Sequence, residues 1–185
     1  MKSFTRSTLA AVLLAALSLH LPAQETPQMP KPTREHEWLQ RFVGNWTTET
    51  SIHMEPGKPP LKAQGTETVK SLGGFWIVSE GKSEMMGQPF LFNLTLGYDA
   101  DAKKYSGTWV DSMNGYLWRY SGSVDASGNK LTLESEGPCP MEPGKLFKFQ
   151  EVTEFKSDSE RTFTSSMQGA DGKWTTLVTG VSKKK

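Results

Sequence analysis

The stretch PFLFNLTLGYD, residues 89–99, decides the fold. Phe90, Phe92, Leu94, Leu96 and Tyr98 fall on one side of an extended chain, and Asn93, Thr95 and Asp99 fall on the other. That period of two is the mark of a strand with one buried face. The same alternation spreads in both directions. Upstream, Trp46, Thr48, Thr50, Ile52 and Met54 share a face, and GTETVKSL and FWIVSEGKSE follow, separated by Gly73-Gly74. Downstream come LGYDADAKKYSGTWVDSMNGYLWRYSG (residues 96–122), KLTLESE, KLFKFQEVTEF, RTFTSSM and KWTTLVTGV, divided by turns rich in Asp, Asn, Gly and Ser. About nine strands at hairpin spacing, with no crossover helices, predict an all-β protein: one antiparallel up-and-down barrel.

A single helix is expected, over residues 34–43. Thr33 suits the N-cap, Glu35 and Glu37 favour the first turn, and Trp38, Leu39, Phe42 and Val43 recur at helical spacing before Gly44. Such a stripe needs an apolar partner, and the end of a barrel is the nearest one.

The N-terminus reads as an address. Lys2 and Arg6 form a basic region, Leu9 to Leu21 is an apolar run too short to span a bilayer comfortably, and Pro22-Ala23 offers a cleavage point. Residues 1–23 are therefore expected to be a secretory signal peptide, 24–33 a Pro-rich tether and 34–183 one barrel domain. Secretion or a periplasmic location follows, with no stable membrane insertion after cleavage. The whole chain carries 21 basic and 20 acidic residues, and loss of Lys2 and Arg6 tips the rest to one excess acid. A near-neutral chain of this kind lacks the footprint of a nucleic-acid binder. The single Cys139 cannot form an intrachain disulfide, so packing must hold the fold.

The search for chemistry excludes more than it finds. His36 and His53 lack companions at metal-binding spacing, REHEW has no second His four residues on, and no nucleophile elbow or phosphate loop is present. No cofactor and no metal are expected. Two repeats, MEPGK at 54–58 and 141–145 and a Gly-x-Trp triplet at 44, 74, 107 and 172, follow no fixed period and read as reuse of turns and strand starts.

The aromatic hairpin is the one candidate site. Tyr105, Trp109, Asp111 and Met113 alternate on one strand, and Tyr116, Trp118 and Tyr120 on the next. A two-residue turn at Asn114-Gly115 would set Asp111 opposite Trp118 and Trp109 opposite Tyr120, all on one face. A three-residue turn would set Asp111 opposite Leu117 and bring it diagonal to Arg119. Both registers are open at this stage. An acid among aromatics is costly to bury without a partner, so Asp111 is either a turn cap or Arg119 partner, or the polar group of a pocket.

EHEWLQRFVGNW, PGKPP, GTETVKSLGGFWIVSE, MMGQPF, LGYDADAKKYSGTWVDSM and SGSVDASGNKLTL occur in that order. Together they resemble a bacterial family of secreted and cytosolic proteins carried under a domain-of-unknown-function label, 1579, over about residues 35–181. The resemblance implies a calycin-type, lipocalin-like barrel, in which Gly44-Asn45-Trp46 would pack near the closed end. It implies no activity and no catalytic residue. Haem-binding relatives of such barrels use a His ligand, and no His here stands at an obviously matching place. The leading expectation is binding of a small apolar or amphipathic ligand in the barrel, by Tyr105, Trp109, Asp111, Met113, Tyr116, Trp118 and Tyr120. The rivals are a filled barrel serving as an interaction module and an enzyme centred on Asp111.

Overall fold

The computed structural model describes residues 29–185 apart from 56, 140, 141 and 143. The signal-peptide reading and most of the tether lie outside the described residues. One helix and ten strands follow. They are α1 (Arg34–Leu39), β1 (Gly44–Ile52), β2 (Leu61–Leu72), β3 (Trp76–Met85), β4 (Gln88–Asp99) and β5 (Lys104–Asp111). After them come β6 (Trp118–Val124), β7 (Lys130–Pro138), β8 (Leu146–Phe155), β9 (Glu160–Gln168) and β10 (Trp174–Lys184). Each strand pairs antiparallel with its neighbours in sequence, and β1 pairs with β10 to close the barrel. Closure leaves no edge strand to be managed. Ten strands stand where about nine were expected.

The helix begins where Thr33 predicts, with the Thr33 amide bonded to His36 Nδ1 at 3.0 Å. Its last turn tightens into a 3₁₀ turn, Gln40–Phe42, and Gly44 starts β1. It stoppers one end of the barrel. Leu39 and Phe42 are buried, and the Trp38 ring meets Tyr105 and Phe155 edge-on at 5.5 and 5.7 Å. The Trp38 indole N–H donates to the Gly128 carbonyl at 2.7 Å. Burying each such side chain contributes about 1.5–3 kcal/mol, enough to hold a helix too short to stand alone.

The deepest layer lies beneath this stopper. Trp46, Val69, Ile77, Leu96, Leu131 and Phe155 are all buried. Trp46 is fully covered and donates to the Phe42 carbonyl at 2.8 Å, so the Gly44-Asn45-Trp46 stretch packs at the closed end. A buried ion pair lies in the same layer. Arg161 bonds Glu67, whose other oxygen accepts from the Ser79 hydroxyl at 2.6 Å. The Arg161 guanidinium also lies over the rings of Trp46 and Phe42, at 4.5 and 4.8 Å. Pairing, hydrogen bonding and cation–π contact together offset what it costs to bury the two charges.

Candidate ligand site in the barrel lumen

Residues opposite one another in an antiparallel ladder share a face, so the strand register sorts wall from lumen. Trp46 is inward, and Glu67, Gly81 and Phe92 follow from it across β2, β3 and β4. Phe92 leads to Asp111 on β5, and Leu94 leads through Trp109 to Trp118 on β6. On β8, Phe149, Glu151, Thr153 and Phe155 are inward, and Arg161, Phe163, Ser165 and Met167 are inward on β9. Burial along this inner face is uneven. Most inward residues beside the helix are closed off, with Tyr98 and Val124 half-buried among them. In the other half Phe149 is buried, but Phe92, Trp109, Trp118, Tyr120, Phe163 and Met167 are only half-buried, though they too point inward. The barrel is therefore a cup, stoppered by α1 and open at the far end.

Aromatic rings line the open half. Phe92 stacks on Trp109 with centroids 4.2 Å apart, and Trp118 meets Phe149 edge-on at 4.9 Å. Two glycines decide where these rings lie. A Cβ on Gly81 would sit 1.9 Å from the Phe92 ring, and one on Gly137 would sit 2.2 Å from the Trp118 ring. Both rings lie back against bare backbone instead of standing into the lumen.

The hairpin register is neither of the two the sequence left open. β5 stops at Asp111 and β6 starts at Trp118, with Trp109 opposite Trp118 and Thr108 opposite Arg119. The loop at 112–117 is long because side chains take its hydrogen bonds. Asp111 Oδ1 accepts the Met113 N–H at 2.8 Å, and Asn114 Oδ1 accepts the Tyr116 N–H at 2.8 Å. Two successive Asx turns displace the tight Asn-Gly turn. Parity survives this slip of an even number of residues, so Trp109, Asp111, Trp118 and Tyr120 all face the lumen. Met113 is in the exposed loop, and Tyr116 bonds the Glu136 carbonyl at the rim. Tyr105 faces inward but lies at the stoppered end, with its hydroxyl donating to the Glu35 carbonyl at 3.1 Å. Arg119 is on the outer wall and does not meet Asp111. The carboxylate instead caps the loop and accepts the Trp109 indole N–H at 3.0 Å.

The sequence reading missed a second acid. Glu151 projects from β8 into the lumen, where Oε1 accepts the Ser165 hydroxyl at 3.0 Å. Its Oε2 is buried with no hydrogen-bond partner, as is the Ser135 hydroxyl on β7. Burial pushes the Glu151 carboxyl up to about 7, with the Ser165 bond opposing only in part. Burial also pushes the Tyr120 phenol well above its ordinary value, assisted by the charges of Glu151 and Asp111, so Tyr120 stays a neutral donor. A signal was present. In KLFKFQEVTEF an acid interrupts the run Phe147, Phe149, Thr153, Phe155, just as Asp111 interrupts the aromatic hairpin. Among the described residues no three His, Cys, Asp or Glu side chains are grouped to hold a metal.

Two open depressions mark the outer wall. One, of about 700 Å³, is bordered by Thr47, Glu49, Gln64, Thr66, Lys82 and Glu84. The other, of about 540 Å³, lies where β1 and β2 approach β9 and β10. Their borders are mixed, with Pro89 and Leu91 beside the polar groups of the first and Val181 beside those of the second. Each also reaches inward-facing residues such as Ser83 and Phe163, without the buried orphan groups of Glu151 and Ser135.

Comparison with known proteins adds a family and a fold. A family described as "Protein of unknown function (DUF1579)" matches residues 31–184. No curated protein matches the sequence. The crystal structure of Rv2717c from M. tuberculosis is similar, with TM-score 0.59 and 11% identity, over 84% of this chain and 99% of that one. At that identity the likeness is one of fold. A redesigned β-barrel, mFAP0, bound to DFHBI, aligns over 78% of this chain and all of its own, at 12% identity and TM-score 0.44.

Proposed function

The chain belongs to the DUF1579 family, which supplies a barrel and no assigned activity, and we propose from the barrel's geometry that it binds a small amphipathic ligand in the open half of its lumen. The observation that supports this most is the gradient of burial along one inner face. A barrel filled for stability alone would close its inward aromatics at both ends, as it does around Trp46 and Leu39, whereas Phe92, Trp109, Trp118 and Tyr120 keep accessible surface. Concave sites lined by aromatics with a few polar groups are the usual form of a small-molecule pocket, and barrel mouths are common places for them. The apolar part of the ligand would lie along Phe92, Trp109 and Trp118, with its polar end toward the acids. The half-buried groups lie inside the wall, and the outer depressions serve no part of this reading.

Titration of the lipid-stripped protein with Nile red, a neutral solvatochromic dye, tests the proposal. Saturable binding of one dye per barrel, displaced by dodecanol, is expected; absence of saturable binding rejects it. Residues 1–23 would export the protein to act on ligands outside the cytoplasm. N-terminal sequencing of the protein from a bacterial periplasmic fraction, expected to begin after Ala23, tests that step.

A further inference from the structure

The lumen's charge and hydrogen-bonding inventory narrows the ligand class. Above the stoppered layer, the ionisable groups facing inward among the described residues are Asp111, Tyr120, Glu151 and Cys139, and no Lys, Arg or His joins them. The inward cations, Arg161 and Lys184, lie at the closed end, where Arg161 is committed to Glu67. The open half therefore holds acids without a countercharge. Its unsatisfied groups include two acceptors, Glu151 Oε2 and the Ser135 oxygen, in positions where an apolar chain would leave them unpaired. A buried acceptor left in that state costs free energy, and a donor that completes it gains by as much. Ser135 stands opposite Phe149, diagonally beside Glu151, so the two orphan oxygens belong to one patch of the inner wall. Glu151 as a whole residue is half-buried while its Oε2 is covered, so a side-chain shift is needed to bring that oxygen to a head group. The aromatic wall that includes Trp118 and Phe149 suits a cation better than an anion, because an aromatic face carries negative potential.

We propose that the lumen takes an amphiphile with a protonated primary amine as its head, the ammonium N–H groups donating to Glu151 and Ser135 while the alkyl or aryl body lies along the aromatic wall. This rests on the lumen-binding reading above and adds the head-group class to it. A carboxylate head would face two acids without a cation. An alcohol head could supply a donor but no charge.

Isothermal titration with dodecylammonium, dodecanol and dodecanoate, each below its micellar concentration at pH 8, separates the two ideas. Wild-type protein is expected to bind dodecylammonium about tenfold or more tightly than dodecanol, as a charge-assisted bond to a desolvated carboxylate would give, and dodecanoate most weakly. Glu151→Gln should bring the ammonium down to about the level of dodecanol, while dodecanol, which has no charge to lose a partner for, weakens far less. Ser135→Ala should weaken the ammonium severalfold with the same selectivity for the head group. Equal affinity for the three heads, or an ammonium preference that survives both substitutions, would overturn the proposal while leaving the lumen as a binding site. Failure of all three amphiphiles to bind would remove both.

Discussion

Replacing Glu151 by Gln keeps the side chain's shape and its acceptor for Ser165 but removes the ionisable group, and the pH dependence of stability should change in a defined direction. The Glu151 carboxyl is lifted from an ordinary 4.5 to about 7 in the folded protein by burial. The folded state therefore holds this proton more tightly than the unfolded chain does. As pH rises past 4.5 the unfolded chain loses the proton first and is favoured, so stability falls until the folded carboxyl also ionises near 7. Each unit of difference is worth 1.36 kcal/mol, which gives at most about 3 kcal/mol across that window. The part of Glu151 that stays accessible lowers this ceiling. Tyr120 is near enough to feel the charge of Glu151, with Ser135 and Ser165 beside it; Tyr120 does not titrate in this range. Surface acids such as Asp125 and Glu154, held below their usual range by Ser127 and Lys156, act with the opposite sign and at lower pH. They are common to both proteins and cancel in the difference. Urea unfolding of wild type and Glu151→Gln at half-unit steps from pH 4.5 to 8.5 gives that difference directly. The variant should gain on wild type through the window and lead by about 1–3 kcal/mol at pH 8. Parallel curves, or a wild type that gains stability as pH rises, would refute the assignment of Glu151 as a buried acid without a countercharge.

Arg161→Met should cost about 3–5 kcal/mol in chemical denaturation because it strands Glu67 in the closed layer, and adding Glu67→Gln should recover part of the loss. Gly81→Val should drive the Phe92 ring off the wall, since Trp109 stacks on its other side; Nile red affinity should fall at least about tenfold, with a stability loss of about 1–3 kcal/mol in urea unfolding. Asp111→Asn should lower stability in a thermal melt by an amount equivalent to about 0.5–2 kcal/mol, because an amide cannot accept from both the Met113 N–H and the Trp109 indole.

How much of this was legible depended on whether a feature is carried by period or by partnership. Alternation in PFLFNLTLGYD fixed the inward face of β4, and alternation on β5 put Trp109 and Asp111 on one face. Trp118 and Tyr120 joined them in only one of the two registers left open, the two-residue turn, whose parity the longer loop shares. That loop depends on where the side chains of Asp111 and Asn114 bond, which competes with the Asn-Gly turn and is invisible to spacing. The Glu67–Arg161 pair joins residues far apart in sequence and could be read only once β2 and β9 were placed around one ring. Glu151 differs: the same reasoning that singled out Asp111 applies to it, and the alternation of β8 carries the signal. Tyr105, grouped with the pocket by alternation, belongs to the stoppered end, because strand period gives the face of a residue and not its height along the barrel.

The tryptophan indole N–H resonances test the account most directly. Trp109 and Trp118 line the open half, Trp46 and Trp38 lie at the stoppered end, and Trp76 and Trp174 are on the outside at 39% and 43% exposure. In a two-dimensional nitrogen–proton spectrum titrated with dodecanol, the Trp109 and Trp118 signals should shift together and saturate. Those of Trp38, Trp46, Trp76 and Trp174 should stay in place. Movement of Trp76 or Trp174 with Trp109 and Trp118 unchanged would put the ligand on the outer wall and contradict a lumen site.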